Sequence, residues 1–224
     1  MKKLKLVLVV AVTVIFGAVL FASSGHKKEE GVSAEKAWER LMKGNKRFTT
    51  GKMIHEKQGK KWRQEIAKAQ KPLAVVVTCS DSRLAPEIIF DRGLGEIFVV
   101  RTAGNVVDPI AIGSIEYALE HLGTKLVIVL GHERCGAVKA TVDGGKVSPN
   151  IAAIAKKIMP SLKKAKKLEG DLVDNTVKEN VTAVVQELEA SKPVINKMIK
   201  DDNVEVIGAY YDLDNGKVRK IDEE

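Results

Sequence analysis

Four short runs dominated by valine and isoleucine constrain this chain more than any other feature: Leu73–Thr78, Glu96–Arg101, Lys125–Leu130 and Val204–Tyr211. Each is too short for a helix and is bounded by turn residues, the pattern of strands buried in a sheet. The stretches around them carry helical spacing instead. Ser33–Phe48 is amphipathic, with Ala37, Trp38, Leu41 and Met42 on one side and Ser33 at its start. Trp62–Ala69 predicts a short second helix and Pro86–Phe90 a helical turn. Ile110–Leu122 ends at Gly123, Ala137–Val142 stops at Asp143-Gly144-Gly145, and Asn175–Ser191 and Val194–Lys200 complete the helices. Asp214-Asn215-Gly216 is a hairpin turn, after which Lys217–Ile221 runs antiparallel. Strands that alternate with helices predict an α/β fold. Its mainly parallel central sheet has four strands and an antiparallel edge strand, is flanked by helices, and is preceded by an N-terminal helical arm.

The first two dozen of the 224 residues read as an address rather than as part of the domain. Lys2, Lys3 and Lys5 precede the apolar stretch Leu6–Phe21, and Ala22-Ser23-Ser24 offers small residues for cleavage. This is the layout of a signal peptide over residues 1–24, with a single domain over 25–224 and a periplasmic or extracellular destination. A membrane association is expected only if that segment stays uncleaved. The formal charge of +8 draws on those lysines and on Lys156–Lys167, which reads as the wet face of a helix. Neither aromatic interleaving nor a recognition motif accompanies it, so no nucleic-acid partner is expected.

The two cysteines, the only ones in the chain, each open a polar motif directly after a buried run. Cys79 lies in C-S-D-S-R and Cys135 in G-H-E-R-C-G, with His132 three residues before it. Two thiolates and an imidazole suit Zn²⁺, and three protein ligands leave its fourth position for water or substrate. A Cys79–Cys135 disulfide, which an exported protein permits, leaves both motifs unexplained. Because ligands bind at the carboxyl ends of strands in parallel sheets, the two loops meet if their strands are neighbours. Asp81 and Arg83 share the loop of Cys79. With Asp81 held by a bidentate pair to Arg83, the metal keeps an open position; with Asp81 as a conditional fourth ligand, the site is closed.

On these motifs, together with R-T-A-G-N at Arg101–Asn105, the chain resembles a β-class carbonic anhydrase of the plant-like subtype. The likeness runs from Gly44-Asn45-Lys46-Arg47-Phe48 to Gly208-Ala209-Tyr210-Tyr211-Asp212. It implies a lyase that hydrates carbon dioxide reversibly to bicarbonate and a proton, with a hydroxide supplied at zinc. It implies Cys79, His132 and Cys135 as ligands, Asp81 and Arg83 as the catalytic dyad, and a pocket of Gln70, Phe98, Ala103, Tyr117 and Gly136. The family builds its sites across a dimer, so a homodimer or dimer of dimers is implied. The arm Ser33–Phe48 carries Trp38, Leu41 and Phe48, apolar surface expected to pack across the partner. The alternatives are hydrolysis of carbonyl sulfide or carbon disulfide at the same site, and a non-catalytic, zinc-stabilised exported binding protein. His55 and His121 are proton-shuttle candidates by residue type alone.

Overall fold

A computed structural model describes residues 31–221; the signal peptide read over residues 1–24 lies outside the described residues. Five strands form one sheet: β1 (Ala74–Cys79), β2 (Ile97–Thr102), β3 (Leu126–His132), β4 (Glu205–Tyr211) and β5 (Val218–Lys220). Their order is β2-β1-β3-β4-β5, parallel throughout except for the antiparallel β4–β5 pair. Every residue of β1 and β3 is buried, which explains why those runs are apolar at successive positions rather than alternating.

Alternate side chains of the two central strands feed separate cores. Val76, Ile128 and Leu130 point to one face, under α1 (Ala34–Thr49), α3 (Pro86–Ile89), α5 (Gly136–Asp143) and α6 (Pro149–Ala165). Val75, Val77, Val127 and Val129 point to the other, under α4 (Pro109–Leu122) and α8 (Val194–Asp201). Helix α7 (Leu172–Glu189) joins both, giving Val177 to the first core and Val181, Val184 and Leu188 to the second. The short α2 spans Lys60–Ile66 and buries no residue. It starts and ends earlier than the sequence pattern predicts, because Gly59 opens it and Trp62 is tied by its indole N–H to the Leu94 carbonyl.

The expected helix with a wet lysine face is present, with Lys156, Lys157, Lys163 and Lys164 exposed, while another expectation needs correction. Helix α6 begins at Pro149, well before the lysine-rich stretch, with the Ser148 hydroxyl accepting from Ile151 N–H and proline at the first helical position. Its lysines are in part spoken for: Lys157 and Lys164 pair with Glu187 and Glu179 of α7. More consequentially, α1 is no detached arm. Ala34, Ala37 and Leu41 are buried in the chain's own core, and Trp38, Met42 and Phe48 pack against it. The apolar face that seemed to require a partner subunit is covered by the chain's own sheet.

Candidate metal centre and its dyad

Because β1 and β3 are hydrogen-bonded neighbours, the loops that leave their carboxyl ends converge. Cys79 is the last residue of β1, His132 the last of β3, and Cys135 stands at the start of α5. Their ligand atoms all lie within 4.8 Å of one another and all three residues are buried. The sulfurs are 4.0 Å apart and both thiols are free, far beyond the ~2.05 Å of a disulfide. The disulfide reading therefore falls.

The donor chemistry fits a dication. His132 Nδ1 donates to the Glu133 carbonyl at 2.9 Å, which leaves the lone pair on Nε2. That Nε2 is fully buried and has no hydrogen-bond partner, a costly state for a polar atom unless something else accepts its lone pair. The two thiols also cannot ionise independently. The Cys135 S–H lowers the Cys79 pKa, against burial and with help from His132 and the Gly104 N–H, while the same contact and burial push Cys135 up. A divalent cation held by both sulfurs would remove that conflict and favour both thiolates.

Asp81 stands beside this set without belonging to it. Arg83 grips both carboxylate oxygens, Nε to Oδ1 at 2.9 Å and Nη2 to Oδ2 at 2.7 Å, and its backbone N–H adds a third bond at 3.0 Å. These bonds, led by the guanidinium and outweighing burial, hold the Asp81 carboxyl well below the usual carboxylate range. Asp81 Oδ2 lies 3.9 Å from His132 Nε2, close enough to face whatever that nitrogen binds. Of the two arrangements left open by the sequence, the carboxylate adopts the one in which arginine holds it.

Three residues support the candidate ligands without having been singled out individually from sequence. Arg101, at the end of β2, donates to the carbonyls of Asp81 at 2.7 Å and Cys79 at 3.3 Å, fixing the loop between them. Gly104 donates its N–H to Cys79 Sγ at 3.3 Å from a left-handed backbone, φ 68°. A side chain there would meet Ile158 Cδ1 at 2.9 Å, so glycine is required twice over. Asn180, buried on α7, donates to the Gly104 carbonyl at 2.9 Å. Its signal in the sequence was a polar residue among the apolar positions Val177, Val181 and Val184.

The expected pocket residues divide into two groups. Ala103 and Gly136 line a mainly apolar cleft of about 860 Å³ between α5 and α6. Phe98 and Tyr117 lie together, ring centres 6.4 Å apart, but away from the chain's own candidate metal site. Phe98 is level with Val75 in the sheet, four residues or about 13 Å down β1 from Cys79. Gln70 is exposed in the connection before β1, at the same end. Of the two other histidines considered, His121 sits against the Tyr117 ring, and His55 donates its backbone N–H to Asp91.

The family model described as carbonic anhydrase matches residues 74–218. A carbonic anhydrase of Mycolicibacterium smegmatis is 41% identical over 186 residues, covering 81% of this chain and 90% of the relative. Carbonic anhydrase 2 of Mycobacterium tuberculosis is 40% identical over 185 residues, 81% of this chain and 89% of the relative. Among solved structures, the Coccomyxa β-carbonic anhydrase in complex with acetazolamide aligns with a TM-score of 0.65 at 31% identity, over 70% of this chain and 75% of that one. A tetrameric β-carbonic anhydrase from Sordaria macrospora shares the fold, with a TM-score of 0.67 at 22% identity over 83% of this chain and 96% of that one.

Proposed function

The chain belongs to the β-carbonic anhydrase family and catalyses the reversible hydration of carbon dioxide, and from that premise we propose that Cys79, His132 and Cys135 hold its zinc while Asp81 and Arg83 direct the chemistry. The observation that carries this reading is the bidentate Arg83–Asp81 pair, which keeps the carboxylate ionised beside a complete three-ligand set. Zinc bound there supplies Lewis acidity that lowers the pKa of water. Asp81, unable to leave Arg83 without losing two charge-assisted bonds, would stay ionised and accept a hydrogen bond from the nucleophile, orienting a lone pair toward carbon. Ala103 and the open face at Gly136, where a Cβ would meet nothing within 4 Å, provide an apolar wall for an uncharged gas.

Gln70, Phe98 and Tyr117 complete the pocket in this reading only if a second subunit brings them. Strand β2 supports that arrangement, since it is a sheet edge with Val99 and Val100 only partly covered. Ile110 and Tyr117 on α4 add exposed apolar surface, 81% and 48% accessible. We therefore read the active form as a homodimer joined along this side, with each subunit's aromatic pair facing the other's metal. Residues 1–24 are read as a cleaved signal peptide that sends the protein out of the cytoplasm, a proposal resting on sequence alone. Mass spectrometry of the mature N-terminus tests it. The relatives described above are named as carbonic anhydrases, which favours carbon dioxide over carbonyl sulfide or carbon disulfide, and the dyad argues against a merely structural metal.

Stopped-flow hydration of carbon dioxide by metal-quantified protein tests the assignment. About one zinc per chain is expected. Arg83→Ala should retain the metal and lose most turnover, because the released carboxylate can reach the metal. Wild-type turnover in that variant, or full activity in metal-free protein, contradicts the assignment.

A further inference from the structure

His132 and Cys135 are separated by two residues that the chemistry above does not use, and both reach across to the β4–β5 turn. The Glu133 carbonyl fixes the tautomer of His132, as described, and its carboxylate reaches the opposite way. Glu133 Oε2 accepts from the Leu213 N–H at 3.2 Å, and Oε1 accepts from Arg134 at 2.7 Å. Arg134 continues the connection with a two-pronged grip on Asp214, Nη1 to Oδ2 at 3.0 Å and Nη2 to Oδ1 at 2.6 Å. The Glu133 N–H also donates to the Tyr211 carbonyl at 3.0 Å. Glu133, Asp212 and Asp214 bring three carboxylates within 4.8 Å, and Arg134 is the cation bound among them.

The backbone of this loop is unusual where it must bring two ligands together. Arg134 has φ 51°, a left-handed conformation that non-glycine side chains rarely adopt. Glycine at that position would be easier for the backbone, so the guanidinium must supply what the strain removes. The turn it grips is itself braced: Asp212 Oδ1 accepts from the N–H groups of Asp214 and Asn215, and Gly216 N–H bonds the Asp212 carbonyl.

We propose that Glu133, Arg134 and Asp214 form a clamp between the β4–β5 turn and the His132–Cys135 loop, and that this clamp positions two of the three metal ligands. The inference rests on the ligand assignment made above. Arg134 and Asp214 are positioning residues that act through the loop, with no part in the reaction itself. Their side chains are exposed, 52% and 71%, so the clamp contributes little to global stability and its effect concentrates on the loop it holds.

The experiment compares zinc-loaded wild type, R134G, D214A and the double variant, using zinc release to a chromophoric chelator. The ligand-field spectrum of the cobalt-substituted forms and thermal unfolding are followed in the same samples. Each single variant should release zinc about fivefold faster, equivalent to about 1 kcal/mol, the upper range for an exposed pair. The double variant should release it no faster than either single one, because the first change already opens the clamp. Both single variants should shift the cobalt spectrum alike. Release from D214A at the wild-type rate overturns the proposal, as does release from R134G at or below that rate, which would make the backbone conformation the whole story. Multiplying effects in the double variant, or a loss of folding stability equal to the loss of metal retention, overturn it too. A wild-type chain that binds no zinc refutes the ligand assignment instead, so the two failures are distinct.

Discussion

Arg83 holds both oxygens of Asp81, and the consequence of the proposed role can be measured. Asp81→Asn replaces an ionised acceptor with an amide that donates from one side and no longer pairs as an ion. Zinc content should stay near one per chain while turnover falls about 100-fold, the lower range for loss of a positioned proton acceptor. Stopped-flow rates normalised to metal content check this, and an unchanged rate would leave the dyad a structural ion pair. Gly104 makes a different demand. Gly104→Ala forces a side chain into a left-handed backbone and against Ile158, with an expected cost of about 2 kcal/mol. Denaturant unfolding reads that cost. The same variant should bind zinc more weakly, because the N–H that donates to Cys79 Sγ must move with the loop.

Among the elements, α1 is held to the domain by polar groups as much as by its apolar stripe. Buried Asn45 donates to the carbonyls of Ile89 at 3.2 Å and Gly216 at 2.8 Å, and accepts from Val218 N–H at 3.1 Å. One side chain thus ties α1, α3 and the β4–β5 hairpin. Asn45→Ala should cost about 3 kcal/mol by stranding these backbone groups, measurable as a lower unfolding midpoint. Two residues along, Arg47 pairs at 2.5 Å with Asp91, which also accepts from the N–H groups of Ile54 and His55. Burial pushes the Asp91 carboxyl up, but the arginine and the two N–H groups outweigh it, and the net shift is downward from 3.8. A depressed folded-state pKa adds stability that is present above the unfolded value and is lost as pH falls through the folded one. Stability should therefore decline below about pH 4, and Asp91→Asn should flatten that decline. Unfolding curves from pH 6 to pH 2 test the sign; an unaltered acid slope in the variant would exclude Asp91 as a source.

At the scale of the molecule, the sheet order decides where chemistry can occur and what remains unpaired. Placing β1 beside β3 gathers the candidate ligands, and the same order leaves β2 at an edge with α4 beside it. Since α1 is already covered by its own sheet, the proposed dimer depends on this edge instead. Ile110→Lys puts a charge on the most exposed large apolar side chain among the described residues. It should yield a zinc-containing monomer of reduced turnover, because Phe98 and Tyr117 could no longer reach a neighbouring site. Light scattering and activity at the same micromolar concentration check this together. A fully active monomer would dispose of the shared pocket.

The strands, the helices and the three side chains that cluster as a candidate metal site were legible in the chain because each is a local signal. Short valine-rich runs, a capping serine and two cysteines opening polar motifs carry their meaning within a few residues. The Asp81–Arg83 pair was legible for the same reason, since the two residues lie two apart. What the fold alone decided is non-local. Helix α1 packs on its own sheet because Leu41 fits a core assembled from strands far along the chain. Arg101 and Asn180 serve the site only because β2 lies beside β1 and α7 crosses above Gly104. Phe98 stands about 13 Å down the sheet from Cys79 because parallel pairing fixes its level, and Tyr117 of α4 lies beside it. Residue spacing specifies which groups can share a turn, whereas strand order and helix docking, set by burial of the whole apolar surface, specify which turns can share a site.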